Sequence, residues 1–397
     1  MKAEQFRIDT YPPPDRRLRL GFVGGGRGGQ VGAWHAAGAR LSNRWDIVAG
    51  ALSTDPAKAR LSGRDWFLAE DRIYDDYHAM AEREAARADP VDAVAICTPN
   101  HTHYEIARTF LQAGINVICD KPLTTSLEDA QALVALQKDT GLVFGVTYAF
   151  AFHAMVRQAR HMILEGRIGR IRQVHVEYFQ EWSCLEKKPD SGEVSWRQDP
   201  ARVGKASAIS DIGTHAFHLA GYVTGEEIVA LKADLYVCGP ERGLEDTAFI
   251  NVRLAGGAPG TLLVTQVAPG NYCALRIRVY GDRGGIEWDQ EKPEYLRVSY
   301  LGQPDEMIVR GKEGAMLPSI EKMSTLPSGH GEALSNAWAN LYTEFAVAIE
   351  ARAAERSLPE GMLEFPTAQD GARGVRFIHA AVESHENGGA WTPCGPA

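Results

Sequence analysis

Three side chains in this sequence are of types that move protons and stand where such chemistry could be placed. Lys121 follows a short apolar run in CDKPLT, beside Pro122. A lysine at the base of a cleft can donate a hydrogen bond to a substrate hydroxyl or exchange a proton with it. Asp211 and His215 lie four residues apart in SDIGTH, which predicts that they share one face of the helix that begins there. Such an aspartate can position the imidazole as a general base near neutral pH.

Each of these residues also has a structural interpretation. For the functional interpretation, Pro122 could fix the direction of Lys121 through a cis bond. Lys121 alone also fits a solvated loop lysine. Asp211 alone fits a helix N-cap, and His215 fits a buried histidine with satisfied nitrogens. The sequence leaves both interpretations open for each residue.

Metal chemistry is not indicated. His215 with His218, and His101 with His103, have the spacing of paired ligands, but no third or fourth ligand follows at a suitable distance. The six cysteines include no CxxC pair, so we expect no metal and no redox pair.

A glycine-rich segment near the start of the chain predicts a dinucleotide site. GFVGGGRGGQVGAWH contains G-x-G-x-x-G as Gly24, Gly26 and Gly29, with Arg27 inside it. The motif follows an apolar run and precedes a helical pattern. The glycines of such a loop allow a tight turn, close approach of the backbone to a pyrophosphate, and close packing of helix on strand.

The residue that would bind the adenosine ribose is less clear. In DIVAGALSTDPAKAR, Ser53 stands at the predicted strand end, and Asp55 comes slightly too late. Lys58 and Arg60 lie further along and do not form a strong 2′-phosphate cluster. We therefore expect NAD as the cofactor, with NADP as the alternative.

The helices and strands that must position these residues show two different patterns of apolar residues in the two halves of the chain. Up to about residue 148, short apolar runs alternate with helical patterns, which predicts a doubly wound parallel sheet of Rossmann type. Later segments such as RQVHVEYF and TAFINVRL alternate with period two, which predicts a large, open, mainly antiparallel sheet in an α/β domain. A final helix is expected near 335–355. We predict a dinucleotide-binding domain over 1–148 and a substrate-binding and oligomerisation domain over 149–397.

The composition of the chain argues against nucleic acid and membranes as binding partners. The net charge of −9 offers no basic footprint for nucleic acid or an anionic membrane. No apolar run reaches the roughly 18 residues of a membrane span. The first twenty residues lack the apolar run of a secretory signal, which favours a cytoplasmic location.

Five motifs occur in an ordered series along the chain: GFVGGGRGG, TPNHTH at 98–103, CDKPL at 119–123, GRIGRI at 166–171 and DIGTH at 211–215. In this order and approximate spacing they resemble the Gfo/Idh/MocA oxidoreductases over essentially the whole chain. The resemblance implies a Rossmann domain, an α/β domain with an open sheet, and hydride transfer between a nicotinamide cofactor and a sugar or cyclitol.

Site residues carry over from the resemblance one by one. Lys121 matches the lysine of the family's Glu-Lys-Pro, with Asp120 in place of the glutamate, and Asp211 and His215 match its aspartate and histidine. His215 would take the hydroxyl proton, Lys121 would hydrogen-bond the same oxygen, and Asp211 would orient and charge-balance them. Which of Lys121 and His215 carries the proton stays open. Residues expected along the cofactor are Thr98, Pro99, Asn100, His103, Lys121 and Pro122.

In finer detail the chain resembles the branch that contains levoglucosan dehydrogenase and glycoside 3-dehydrogenases, which would place oxidation at C3 of a pyranose. VGKASAISDIGTH has Gly204 alone where the family often has a glycine-rich run, so the pocket wall departs from the pattern. Side chains that could reach a sugar ring, or could be structural, are Tyr148, Arg157, Trp196 and Arg197.

Two other functions stay open. A glycosidase that retains its NAD could oxidise C3 transiently with the same residues, and a non-catalytic dinucleotide sensor could use the same fold. Family members commonly pair through the C-terminal sheet, so the resemblance also implies a homodimer or homotetramer.

Overall fold

The computed structural model describes residues 16–184, 199–240, 243–321, 323–359 and 361–395. The chain forms two compact units. The first comprises the residues up to Thr124, Glu128–Ala149 and Leu334–Ala372, and the second comprises Thr125–Leu127, Phe150–Ala333 and the residues from Arg373 onward.

The first unit is built on a five-stranded parallel sheet in the order β2-β1-β3-β4-β5. Its strands are nearly continuous apolar runs, as expected for strands covered on both faces. They are β1 (Leu18–Gly24), β2 (Trp45–Ala51), β3 (Ala93–Cys97), β4 (Asn116–Cys119) and β5 (Phe144–Val146). The helices between them are α1 (Gln30–Leu41), α2 (Pro56–Asp65), α3 (Tyr77–Ala85), α4 (His103–Gln112) and α5 (Leu127–Thr140).

A helix from late in the chain completes the first unit. This helix, α10 (Leu334–Ala353), packs closely on α1, where a Cβ at Gly38 would lie 2.6 Å from the Cβ of Trp338. His35 on α1 is fully buried, and its Nδ1 lies 2.8 Å from the hydroxyl of Tyr342. The first unit is therefore assembled from the N-terminal part of the chain and a late segment, Leu334–Ala372.

The second unit is built on a nine-stranded sheet in the order β13-β12-β11-β10-β6-β9-β8-β7-β14. All neighbouring strands pair antiparallel except β6 and β9, which are parallel. The strands are β6 (Ile171–Phe179), β7 (Ile228–Tyr236), β8 (Thr247–Leu254), β9 (Pro259–Thr265), β10 (Ala274–Gly281), β11 (Gly284–Asp289), β12 (Tyr295–Tyr300), β13 (Glu306–Val309) and β14 (Thr392–Pro393).

Burial alternates along these strands, so one face of the sheet is covered and the other is open. In β8 the residues Ile250 and Val252 are buried while Phe249 is 48% exposed. Helices α6 (Ala154–Leu164) and α8 (Thr214–Thr224) contact the sheet. The remaining helices are α7 (Pro200–Val203), α9 (Pro318–Glu321) and α11 (Ala368–Glu386).

The predicted fold class is confirmed: a Rossmann-type parallel sheet and a second, mostly antiparallel sheet. The helix expected near 335–355 is α10, but it is not the final one. Helix α11 follows it and was not predicted from the sequence.

Candidate active site

The glycine-rich loop connects β1 to α1 and needs glycine for two different reasons. Gly24 has a φ of 76°, and a Cβ there would lie 2.9 Å from the carbonyl oxygen of Cys97. Gly26 has ordinary backbone angles, but its Cβ would lie 2.7 Å from the carbonyl oxygen of Leu52. The loop is thus pressed between the ends of β2 and β3, where a side chain would push it outward.

The start of α1 fits a pyrophosphate. Its N-cap is Gly29, which has no side chain to occupy the free N–H groups, and the first turn carries no acidic residue. A Cβ at Gly28 would meet only the Nζ of Lys58, at 3.8 Å, so the space beside the loop is open. Backbone N–H groups at a helix N-terminus, together with the helix dipole, favour an anion at this place.

Helix α2 holds the loop in position. The backbone N–H of Arg27 donates to the hydroxyl of Ser62 at 3.0 Å, and the Arg27 guanidinium donates to Asp65 at 2.8 Å. Because both charged groups are substantially exposed, the ion pair itself adds little stability. The hydrogen bond from the backbone is the contact that fixes the loop.

No acid stands at the end of β2 to bind a ribose. Ser53 occupies the position, and its hydroxyl accepts the N–H of Asp55 at 3.1 Å. The Asp55 carboxylate instead caps α2, accepting from the N–H groups of Ala57 and Lys58 at 2.8 and 3.2 Å. Asp55 stands too late in the sequence for the ribose, and its carboxylate is in addition occupied by the cap of α2.

His103 links the loops that follow β3 and β4. Its Nδ1 lies 2.9 Å from the carbonyl oxygen of Pro122, and its Nε2 lies 2.9 Å from that of Thr98. The ring is fully buried. Asn100, in the same segment, is buried as well, whereas Thr98 and Pro99 are half-buried. The histidine therefore fixes two segments from which side chains can reach a ligand.

Lys121 follows β4 and is half-buried. The Asp120 carboxylate accepts the backbone N–H of Lys121 at 2.9 Å and the hydroxyl of Thr147 at 2.8 Å. The Lys121–Pro122 peptide bond is cis. Asp120, which stands where the family has a glutamate, thus holds the backbone that presents the lysine.

In the second unit, Asp211 and His215 lie on a helix with an unusual first turn. Ile209–Gly213 is a π-helical turn that continues directly into α8. Such turns are rare and are frequent at functional sites. Asp211 is therefore inside the helix rather than at its N-cap, and its carboxylate is not used for capping. Both side chains are half-buried.

Two aromatic rings flank His215. The Phe150 ring lies edge-on with its centroid 4.8 Å from that of the imidazole, and the Tyr178 ring lies at 6.3 Å. Burial raises the pKa of Tyr178 well above its usual value, and the nearby Cys273 and Asp211 add to this shift. The histidine is thus held beside a phenol that stays neutral at physiological pH.

Two residues that the sequence analysis missed support Asp211. The side-chain amide of Gln266 donates to Asp211 Oδ2 at 2.9 Å. Glu245, only 7% exposed, accepts the N–H groups of Ser207 and Ile209, each at 2.9 Å, and so caps the helix. Neither residue lies near Asp211 in the sequence, so local patterns carry no signal for them.

A chain of side chains runs beyond Tyr178. Its hydroxyl lies 3.3 Å from the Cys273 sulfur and accepts from the Gln180 amide at 3.4 Å. The Gln180 Oε1 in turn accepts from the Trp182 indole at 2.9 Å. This places an aromatic ring and an amide, groups suited to sugar faces and hydroxyls, in the same unit as His215.

Of the four side chains expected to reach a sugar ring, two are buried and two lie outside the described residues. Tyr148, in the first unit, is only 1% exposed. Arg157, on α6, is 4% exposed, and its guanidinium lies 4.2 Å from the centroid of the Phe152 ring. Trp196 and Arg197 lie outside the described residues.

Two features are absent from the described part of the chain. No group of three or more His, Cys, Asp or Glu side chains there is arranged to hold a metal ion. No helix in those ranges combines the length and apolar character needed to cross a membrane.

Known proteins match both units of the chain. Residues 18–148 match the oxidoreductase family with an NAD-binding Rossmann fold, and residues 156–287 match the GFO/IDH/MocA C-terminal domain. The chain is 35% identical over 382 residues to the uncharacterized oxidoreductase YfiI of Bacillus subtilis strain 168, which covers 94% of this chain and 96% of that protein.

Two further similarities concern proteins with stated ligands or substrates. The levoglucosan dehydrogenase of Pseudarthrobacter phenanthrenivorans is 30% identical, over 74% of this chain and 78% of that enzyme. The crystal structure of an inositol dehydrogenase homolog from Azotobacter vinelandii, complexed with NADH and myo-inositol, superposes with a TM-score of 0.86. That protein is 33% identical, with 96% of this chain and 98% of the other covered.

The glycine loop, the open helix N-terminus and the matches over both units agree with one another. NAD is the cofactor that the Rossmann unit binds. The chain belongs to the GFO/IDH/MocA family of NAD-binding oxidoreductases.

Proposed function

We propose that the protein is a dehydrogenase that oxidises a ring CH–OH of a sugar, glycoside, anhydrosugar or cyclitol with NAD. The observation that carries this proposal is the half-buried Asp211–His215 pair, with its carboxylate held by Gln266 rather than used in a helix cap. One similar protein is named a levoglucosan dehydrogenase, and the structure of another contains bound myo-inositol. Both molecules are cyclic polyols, which supports the same substrate class.

In the proposed reaction, His215 accepts the hydroxyl proton as the C–H hydride leaves, and the carbon becomes a ketone. NAD, when bound, accepts that hydride. Asp211 favours the charged imidazolium, and Lys121 donates a hydrogen bond to the reacting oxygen, which gains negative charge in the transition state. In the reverse direction the same groups return the proton to a ketone.

We propose that the cofactor is held by the glycine loop and by the segments after β2, β3 and β4. The N-terminus of α1 would bind the pyrophosphate, and Ser53 would face the adenosine ribose. Thr98, Pro99 and Asn100 would lie along the nicotinamide ribose. His103 and Pro122 would act there through the loop contact that they share.

The first experiment offers NAD and NADP separately with a panel of pyranoses, glycosides, anhydrosugars and inositols. Reduced cofactor and released aglycone are recorded together. Accumulating NADH supports the dehydrogenase. Aglycone release without net reduction would instead indicate the glycosidase, and silence on both readouts would favour the sensor.

Variants then test the assigned roles. Lys121→Ala and His215→Asn should each lower kcat/KM by about 100-fold or more, the usual contribution of a positioned proton-transfer or oxyanion-stabilising group. NADH affinity, measured by fluorescence titration, should stay within about threefold of the parent. Lys138→Ala, at an exposed lysine of α5, is the matched control and should leave both quantities unchanged. Loss of NADH binding in Lys121→Ala would mean that Lys121 holds the dinucleotide instead.

We also propose that the open face of the nine-stranded sheet pairs with a second copy of the chain. Tyr236 and Phe249 are each 48% exposed there, with ring centroids 5.8 Å apart. Large exposed apolar groups on a sheet commonly mark an interface. Light scattering after size exclusion should give a dimer or tetramer for the parent and a smaller species for Phe249→Arg; a monomeric parent would contradict this proposal.

A further inference from the structure

Gln266 lies one residue beyond β9 and is only 1% exposed. Its backbone is held on both sides: its N–H donates to the carbonyl of Asp246 at 2.9 Å, and its own carbonyl accepts the N–H of Ser183 at 3.1 Å. The side chain therefore leaves a fixed point of the backbone. Its Nε2 donates to Asp211 Oδ2 at 2.9 Å.

The oxygen of the same amide lacks a hydrogen-bond donor in the part of the chain that the structure describes. Gln266 Oε1 is buried and has no hydrogen-bond partner among the described residues. A buried carbonyl oxygen without a donor reduces stability. Turning the amide over would place this oxygen against the Asp211 carboxylate, where two acceptors would repel each other. The orientation of the amide thus provides Asp211 with a hydrogen bond and leaves the Gln266 Oε1 without one from the described residues.

We propose that Gln266 is a positioning residue for Asp211. Its N–H fixes the rotation of the carboxylate and favours the ionised form, which is the form that supports His215 as a base. This inference rests on the proposed function, because it assigns Gln266 a role through the Asp211–His215 pair. The fold alone would be served equally well by an apolar side chain of the same length.

Gln266→Met makes that distinction measurable. Methionine keeps the length of the side chain, removes the donor and removes the unpartnered oxygen. We expect an unchanged or raised Tm together with a fall in kcat/KM of about 10- to 100-fold, the usual effect of losing one hydrogen bond to a charged group. The acidic limb of the kcat/KM profile, which reports protonation of the His215 base, should move to lower pH, since a less ionised Asp211 supports the imidazolium less.

Gln290→Met is the matched control. Gln290 is also buried, follows β11, and has an Oε1 without a well-formed hydrogen bond among the described residues, but its side chain interacts with His153 rather than Asp211. Its substitution should affect Tm in the same direction and leave the pH profile where it is. A shift of equal size in both variants would overturn the proposal, because it would show a general effect of losing a buried amide.

A measurement without substrate separates this inference from the proposed function. In protein labelled at histidine, the His215 imidazole is assigned by its absence in His215→Asn and titrated by NMR in the parent, Asp211→Asn and Gln266→Met. We expect the Gln266→Met midpoint to move from the parent value toward that of Asp211→Asn. A midpoint equal to the parent's, or a Tm lowered by several degrees with an unchanged profile, refutes positioning. Because the titration needs no turnover, it gives the answer even if no polyol is oxidised.

Discussion

Replacing Glu245 by glutamine should remove a pH dependence of stability from the unit that carries Asp211 and His215. Burial raises the pKa of the Glu245 carboxyl to about 7, the backbone N–H groups of Ile209 and Ser207 oppose the shift, and the charge of Asp246 adds to it. The carboxyl caps the helix that carries Asp211 and His215, so its protonation state affects the stability of that helix. Glu245→Gln keeps the size of the side chain and one acceptor oxygen but cannot ionise.

The sign and size follow from the raised pKa. The folded protein holds the proton more tightly than the unfolded chain, whose carboxyl has an ordinary pKa of 4.5. The stabilising contribution is therefore fully present below pH 4.5 and is lost as the pH rises through about 7. The difference between these two values corresponds to about 3 kcal/mol at 1.36 kcal/mol per pKa unit.

The assay compares parent and Glu245→Gln by calorimetry and urea unfolding at half-unit steps from pH 4.5 to 8. The stability of the parent relative to the variant should fall across this window, by about 6–12 °C in Tm at roughly 2–4 °C per kcal/mol. Other ionisable groups are common to both proteins and cancel in the difference. Two curves that stay parallel throughout would refute the reasoning and show that Glu245 is ionised over the whole range.

Three further changes test the first unit. Gly26→Ala should weaken NADH binding by about tenfold or more in a fluorescence titration, because its Cβ would lie 2.7 Å from the rigid carbonyl oxygen of Leu52; unchanged binding would show that the loop can yield. Ser53→Asp should weaken NADPH binding by about tenfold and leave NADH binding intact, since a carboxylate accepts ribose hydroxyls and repels a 2′-phosphate; equal effects on both cofactors would place Ser53 elsewhere. Gly145→Ala should lower the stability by about 1–3 kcal/mol, because its Cβ would lie 2.0 Å from the Phe345 ring; an unaltered Tm on heating would mean that the ring moves freely.

Local sequence was enough for the fold class and for the parallel sheet of the first unit. The run LRLGFVG is β1 over its full length, and the glycines after it lie between that strand and α1 as predicted. These features are readable because strand burial and tight turns restrict residue types within a few positions. Period-two alternation likewise predicted the open sheet of the second unit. The roles of Lys121, Asp211 and His215 remain predictions.

Other features could not have been found in this way. The π-helical turn at Ile209–Gly213 takes Asp211 out of the cap position that the spacing suggested. The sequence placed Asp55 slightly too late for the ribose, and only the structure shows that its carboxylate caps α2. In both cases a hydrogen bond to the carboxylate, from Gln266 for Asp211 and from Ala57 for Asp55, shows what the aspartate does. An aspartate could cap a helix or face a ligand equally well, so the residue type alone does not distinguish the two roles.

The sequence by itself determined a parallel sheet with a dinucleotide loop, a mainly antiparallel sheet, and a short set of residues able to move protons. Only the tertiary structure decided what surrounds them. Gln266 reaches Asp211 across 55 positions, and α10 joins a unit whose strands ended long before it. Local patterns record which face of an element is buried, whereas partners distant in sequence are set by strand pairing and helix packing, which depend on the whole chain.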